Sequence, residues 1–452
     1  MRARLAIAGC KLTRKVCRKL HKGGTAFPGS VALKIDKNAL RRASKGVKTI
    51  LVTCTNGKTT TSLMIAEAMK KAGYNYFANG TGANLLNGIT AEFACNTDSF
   101  GNNKFEYAVI ECDEASLKYV APLVDPKVIV VTNLFRDQLD RYGEVMTTLA
   151  KIKEAIVQVP NAVLCLNADC SLTSSLADEV ENRCIFFGMN DTSIKHDDKE
   201  LSDAPRCIKC GHEYQYHYRT YGHLGDFYCP ECGYSRRLTD VSIEKIVKLG
   251  ADHSEVLLKD MKALQTLTVA LPAVYNLYNA MAAYSAFEAM ELDTESMINS
   301  LGSMSSAFGR MEKFDLEGTK VQMVLVKNPA GCNQALDFLL NVEEPFRLVF
   351  ILNDGYADGK DISWIWDTNY EKLIHQSNLK EIVVSGDRRD DMALRIKYAE
   401  LATHGECSSY EEIIEYIKSS TEPVFILPNY TSMLAMRHSL SVACGIKDYW
   451  EK

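Results

Sequence analysis

The stretch Thr53-Cys54-Thr55-Asn56-Gly57-Lys58-Thr59-Thr60-Thr61 carries the densest chemistry in the chain. A glycine followed at once by a lysine and a hydroxyl suits a phosphate group. Backbone N–H groups and a helix N-terminus face the anion, Lys58 reaches the β/γ-phosphates, and the Thr59 hydroxyl can ligate Mg²⁺. The strict phosphate-loop pattern has glycine five residues before Gly57; Val52 stands there instead. The alternative is an ordinary strand-to-helix turn that contains Gly-Lys-Thr.

A second constellation is metal-like. Cys207-Ile208-Lys209-Cys210 and Cys229-Pro230-Glu231-Cys232 are separated by 18 residues, the spacing of a four-cysteine zinc site. Gly211 and Gly233 follow the two pairs, as tight zinc knuckles require. Four thiolates close a tetrahedron, so the expected role is a structural zinc ribbon rather than a catalytic centre. His212, His217 and His223 lie close enough in sequence to substitute for a ligand, and Fe–S or redox use is the other reading.

The elements that must position these groups alternate in type. Before the loop, Thr49-Ile50-Leu51-Val52 reads as a buried strand, and Ser62 to Lys71 reads as a helix ending at Ala72-Gly73. Glu106 to Ile110, Lys127 to Val131 and Ala162 to Leu166 are further apolar runs, each finishing on polar residues. Open parallel sheets place their ligands at such strand ends. Glu111, the first carboxylate after its strand, is placed to complete a Mg²⁺ site with Thr59, or is simply an acidic strand end. Asn276 and Asn279 share a helix face, where amides can read a base edge or cap the helix. From about Leu316 a second α/β pattern begins, with strands at 348–352, 381–384 and 424–427. The fold class expected is therefore α/β: a doubly wound central domain with an inserted ribbon, plus a smaller Rossmann-like C-terminal domain. The boundaries read as 1–45 for a basic N-terminal segment, 46–310 for the ATP-binding domain with the insertion at about 203–236, and 311–452 for the last domain.

Composition sets the outer limits. The chain has 452 residues, 24% of them charged and 46% hydrophobic, with a net charge of -5 that argues against a general nucleic-acid binder. No apolar run approaches the roughly 18 residues of a spanning helix. The fifteen cysteines, four clustered and the rest scattered, suit reduced cytosolic thiols. Residues 1–22 carry eight lysines and arginines and no acid. They read as a solvated helical face, with an amphipathic helix on an anionic surface as the alternative.

These motifs resemble the Mur ligases. The loop around Gly57 is similar to that family's ATP loop, with Cys54 where its members have glycine. Thr132-Asn133-Leu134 and Asp137-Gln138-Leu139-Asp140 resemble the segment after its third core strand, with Gln138 where many members have histidine. Asn276, Asn279 and Arg310 fall on its adenine-side asparagines and its Gly-Arg at the domain junction. The family's Asp and His before Asn-Pro are missing, since the chain reads Val324-Leu325-Val326-Lys327-Asn328-Pro329. The cysteine insertion, the short segment before the loop and Asp358-Gly359-Lys360-Asp361-Ile362-Ser363-Trp364 match one branch, the ligase subunits of lipid II isoglutaminyl synthase.

That resemblance implies ATP-dependent amidation of the D-glutamate α-carboxylate of the lipid II stem peptide through an acyl phosphate. It implies Thr55, Asn56, Gly57, Lys58, Thr59 and Thr60 as the ATP loop, and ATP, Mg²⁺ and Zn²⁺ as cofactors. It also implies a heterodimer with a GatD-like glutaminase, acting in the cytoplasm at the inner face of the membrane. Asp361, or else Asp358, would complete the partner's Cys-His-Asp arrangement. In the chain itself, Cys332 shows no histidine partner and reads as a plain buried thiol. The competing expectation is a Mur- or folylpolyglutamate-type ligase that joins an amino acid. Trp364 and Trp366 beside the acidic loop read equally as interface anchors or as core.

Overall fold

The computed structural model describes residues 2–20, 25–80, 82–98, 101–137, 145–194, 202–250, 252–304 and 310–446. Gln138, Leu139, Asp140, Phe308 and Gly309 lie outside the described residues, as does the side chain of Arg310.

Strands β1 (Lys48–Thr53), β2 (Tyr76–Ala78), β3 (Tyr107–Glu111), β4 (Val128–Val131), β5 (Val163–Asn167) and β6 (Cys184–Met189) come first in the chain. The hairpin β7 (Gln215–Tyr221) and β8 (Leu224–Tyr228) follows, then β9 (Val241–Leu249), β10 (Ser254–Lys259) and β11 (Leu264–Val269). One nine-stranded sheet runs β11-β10-β9-β6-β5-β4-β1-β3-β2, parallel except for the antiparallel β9-β10-β11 edge. β1 is buried from Thr49 to Thr53, as a central parallel strand covered on both faces must be. Chain order reverses at β1, so the loop after it sits at the switch point where such sheets bind ligands.

The helix Lys58–Lys71 packs on this sheet through Met64, Ile65, Ala68 and Met69, and the helix Val274–Ala289 lies against it. The second of these is buried from Asn276 to Phe287, which explains its lack of an amphipathic stripe.

The second sheet contains β12 (Arg310–Leu316), β13 (Thr319–Val324), β14 (Phe346–Ile351), β15 (Leu379–Ser385), β16 (Gly405–Cys407) and β17 (Val424–Pro428). Its order is β12-β13-β17-β14-β15-β16, with β12 antiparallel to β13 and the rest parallel. Period-two alternation splits its core. Leu348 and Phe350 face one apolar cluster, and Val349 and Ile351 face the other.

Seven strand runs were expected, and the sheets hold more. β12 and β13 are polar on alternate positions and joined by Glu317-Gly318, both at positive φ (54° and 92°), the signature of a tight two-residue hairpin. β2 and β16 are three residues each, too short for periodicity to mark. The basic N-terminal segment forms the helices Arg2–Lys19 and Phe27–Ile35, packed against each other and against the helix Leu86–Cys95. Among the described residues no helix is long and apolar enough to cross a membrane.

Candidate functional site

The loop from Cys54 to Gly57 is shaped by its neighbours. Asn133, just past β4, donates from Nδ2 to the Asn56 carbonyl at 2.8 Å and accepts from the Asn56 N–H at 3.0 Å. The Thr55 hydroxyl donates to the Phe135 carbonyl at 3.1 Å. Gly57 has φ 95°, and a Cβ there would lie 2.1 Å from Asn279 Oδ1, so both conformation and space demand glycine. No side chain caps the helix Lys58–Lys71, which leaves its first N–H groups directed into the cleft.

Three acids within the four residues 111–114 act differently because of where β3 ends. Glu111, its last residue, accepts from the Thr59 hydroxyl at 2.7 Å and from Asn84 Nδ2 at 3.3 Å. Asn79 fixes the Glu111 backbone from both sides at 2.8 Å. Asp113 caps the next helix, Glu114–Val124, by accepting from Ala115 N and Ser116 N. Glu114, in the first turn, meets Lys58 Nζ at 2.8 Å. Burial opposes charge on both partners. The Glu114 carboxylate overcomes it and raises Lys58 above its ordinary value, so the ammonium persists. Burial raises the Glu114 carboxyl, and Lys58 pulls it back. Lys58 also donates to the Cys54 carbonyl.

The donor set fits a nucleotide with a hard divalent cation. A hydroxyl and a carboxylate, both oxygen ligands, converge beside the N-terminus of the helix Lys58–Lys71.

An open cleft lies between this loop and the second sheet. Asn56, Gly57 and Thr60 form one wall with Asn276 and Asn279; Lys327, Gly331 and Gln334 form the facing wall. Asn276 donates to the Pro272 carbonyl at 2.6 Å and accepts from Asn279 at 3.2 Å. Neither amide caps the helix, and both face the cleft. Arg310 lies at the start of β12.

Tyr221, Tyr275, Lys327, Asn79 and Asn84 were not picked out as site residues from sequence. Tyr221 belongs to the hairpin between the cysteine pairs yet stacks on Phe135 at 5.7 Å and reaches the cleft wall. The Asn79 and Asn84 pair, flanking a short strand end, was the available signal.

The four cysteines come together. Their sulfurs all lie within 4.8 Å of one another, with Cys207 to Cys232 at 3.5 Å and Cys210 to Cys229 at 3.4 Å. Gly211 and Gly233, at φ 78° and 74°, turn each knuckle so that their N–H groups bond back to the Cys207 and Cys229 carbonyls. His212 and His217 stay out of the cluster, and His223 sits elsewhere. The His223 Nε2 is 3.3 Å from Cys170 Sγ, with both residues buried. Burial depresses His223 to about 3, with Arg219 adding to the shift, and raises the Cys170 thiol, so the pair is neutral and shielded from solvent. Cys332 is likewise fully buried and raised to about 12, chiefly by burial.

In the acidic loop the two candidate aspartates differ. Asp358 is buried, and its carboxylate takes the Thr431 N–H at 2.7 Å and the Thr431 hydroxyl. Asp361 is half-buried, accepts from Ser363 N at 2.9 Å, and is held below the usual carboxylate range by Ser363 with help from Arg136. Trp364 packs partly on the core, whereas Trp366 is 47% exposed and Tyr356 is 94% exposed.

Comparison with known proteins extends this picture. Residues 52–224 match the Mur ligase middle domain, and residues 325–433 match the MurT ligase C-terminal domain. Mur ligases are ATP-dependent and use Mg²⁺. In fold, the chain is similar to a pseudomurein peptide ligase type C from Methanothermus fervidus. The TM-score is 0.65 at 18% identity, covering 89% of this chain and 80% of that one.

Two curated relatives carry the same printed name, subunit MurT of lipid II isoglutaminyl synthase (glutamine-hydrolyzing). The Streptococcus pneumoniae R6 protein is 32% identical over 98% of this chain and 97% of its own. The Staphylococcus aureus N315 protein is 33% identical over 98% of both. A third of all positions held in common along nearly the whole of each sequence settles membership: the chain belongs to the MurT family of Mur ligases.

Proposed function

We propose that this chain is the synthetase subunit of a lipid II isoglutaminyl synthase. It amidates the D-glutamate α-carboxylate of the lipid II stem peptide to D-isoglutamine through an acyl phosphate, with ammonia from a GatD-like glutaminase in a heterodimer. The observation that carries this reading is the end-to-end likeness to two subunits of that name.

The site supports the chemistry. Thr55, Asn56, Gly57, Lys58, Thr59 and Thr60 hold the phosphates, Asn276 and Asn279 face the adenine, and Arg310 closes the junction. Thr59 and Glu111 would ligate Mg²⁺, which supplies charge neutralisation at the transferring phosphoryl group. Lys58 swings from Glu114 to the same group. In this reading the ATP-binding domain spans 46–310 and the Rossmann-like domain 311–452, behind the basic segment 1–45.

The four cysteines would hold one structural Zn²⁺ in the ribbon at about 203–236. A tetrahedron with Zn–S bonds near 2.3 Å has sulfur–sulfur edges of about 3.8 Å, close to the distances between these thiols.

Ammonia would come from the partner, and the buried Cys170–His223 contact offers no glutaminase dyad in its place. A neutral thiol beside a histidine depressed to about 3 is neither nucleophile nor base. Asp361, with Tyr356 and Trp366 exposed around it, would meet the partner and orient its histidine; Asp358 is committed to Thr431. The work would be done in the cytoplasm at the inner face of the membrane, where a lipid-tailed substrate is presented.

The test is direct. The chain, co-expressed with its glutaminase, is given lipid II, ATP and glutamine, and the product is read by mass spectrometry. An amide in place of one carboxyl supports the proposal. A product enlarged by an amino-acid residue would assign the chain to amino-acid ligation instead.

A further inference from the structure

The helix Arg2–Lys19 is held to the protein by one face. Ala6, Ile7 and Cys10 are buried there, beside Ala91 and Ala94 of the helix Leu86–Cys95. The opposite face is also apolar, and it is open. Leu5 is 55% exposed, Leu12 65%, Val16 46% and Leu20 62%. At i, i+7, i+11 and i+15 these side chains fall on one stripe; Leu20 extends the helix by an N–H bond to the Val16 carbonyl at 3.1 Å.

Cations border the stripe. Arg2, Arg4, Lys15, Arg18 and Lys19 are all exposed, and the helix contains no acid. Over residues 1–45 there are thirteen lysines and arginines against one acid, Asp36, in a chain whose net charge is -5. Exposed leucines scattered singly need no explanation. Four in a line, edged by cations on an otherwise acidic protein, form a surface of specific chemistry.

We propose that this face docks on an anionic lipid bilayer. The helix lies in the plane of the interface with Leu5, Leu12, Val16 and Leu20 at the acyl boundary. The lysine and arginine stems run along the apolar surface to lipid phosphates. An 18-residue helix gives a footprint about 27 Å long.

The placement also suits the catalytic cleft. The helix beneath, Leu86–Cys95, begins two residues after Asn84, which bonds Glu111. The docked face is thus tied to the acidic end of the nucleotide site. The proposal takes its purpose from the function proposed above, a substrate with a lipid tail, but the binding itself needs neither substrate nor ATP.

Sedimentation of the full-length chain with vesicles tests it. Vesicles of phosphatidylcholine containing one-third phosphatidylglycerol should carry the protein down, and phosphatidylcholine alone should carry little. Leu12→Glu/Val16→Glu should weaken the partition by roughly tenfold or more. Lys15→Glu/Lys19→Glu should abolish the preference for the anionic vesicles. Both variants alter exposed side chains, so their melting temperature and ATP turnover in solution should match the parent.

Parent protein that stays in the supernatant, or variants that sediment like the parent, would overturn the proposal. So would a Leu12→Glu/Val16→Glu chain that keeps its vesicle binding but loses its glutaminase or its self-association, because the face would then be a protein interface. Vesicle binding without isoglutamine formation on lipid II would leave the docking face standing and remove the functional reading alone.

Discussion

The side chains of Asn56 and Asn328, 272 positions apart, pair amide to amide. Asn328 Nδ2 donates to Asn56 Oδ1 at 3.0 Å, and Asn56 Nδ2 donates to Asn328 Oδ1 at 3.3 Å. Asn328 also caps the helix Pro329–Leu340 by accepting from Gly331 N at 2.8 Å, so one residue fastens the loop before Lys58 to that helix. Asn328→Asp keeps the cap and sets a carboxylate against an amide oxygen. It should raise the KM for ATP about tenfold, the equivalent of one lost hydrogen bond of about 1.4 kcal/mol, with little change in melting temperature. An unchanged KM would show that the pair does not shape the loop.

Lys58→Met should abolish ATP turnover and also destabilise the protein, because it strands the Glu114 side chain, only 7% exposed, without its ion. A cost of about 3–5 kcal/mol is expected from chemical denaturation. The double variant Lys58→Met/Glu114→Leu should recover most of that stability and none of the turnover. Recovery of turnover would remove Lys58 from the phosphate site.

Metal analysis should find one zinc per chain. Chelation, or Cys207→Ser or Cys232→Ser, should lower the melting temperature, since a closed four-thiolate site contributes folding energy directly. Zinc-free protein of unchanged stability would show that the cysteines hold together without an ion.

Asp361→Asn should depress glutamine-dependent amidation severely while amidation fed by ammonium salts stays near normal. Asp358→Asn should instead loosen the Thr431 anchor and lower the melting temperature, with both ammonia sources affected alike. Equal failure of both sources in Asp361→Asn would move its role to the ligase site.

His223 gives a pH signature. Its folded value is depressed, so the unfolded chain binds the proton first as pH falls. Stability is therefore full above about 6.5 and declines towards the folded value of about 3. Between pH 6.5 and 5 the parent should lose about 1 kcal/mol per pH unit more than His223→Phe, measured by urea unfolding. Parallel pH profiles would show that His223 does not titrate on unfolding.

The strand, loop and helix around Gly57 were legible because the glycine, lysine and threonine are contiguous and lie between a buried strand and a helix. The cysteine cluster was legible because its spacing is set by the metal chemistry that such pairs serve. The facing wall was not, because Lys327 and Gln334 reach the cleft only through the packing of a second sheet. Glu111 could be picked as the strand's terminal carboxylate, but only coordinates separate it from the cap Asp113 and the lysine partner Glu114. The antiparallel edge β9-β10-β11 escaped because its alternation belongs to a half-exposed strand, unlike the apolar runs at the sheet centre.

Asp169 is completely buried at the end of β5 and receives Arg236 at 2.6 Å, Tyr278 at 2.5 Å and the Met189 N–H at 2.9 Å. Arg236 follows the second cysteine pair, and Tyr278 sits between Asn276 and Asn279. The cysteine insertion and the helix Val274–Ala289 therefore share a single ionic keystone, and Tyr221 carries the hairpin to the cleft wall. Two ligands that each order such a shared element must favour one another by the same factor in both directions. Nucleotide would then tighten the hold of the cysteines on an ion, and loss of that ion would appear first as weakened nucleotide affinity, before any unfolding.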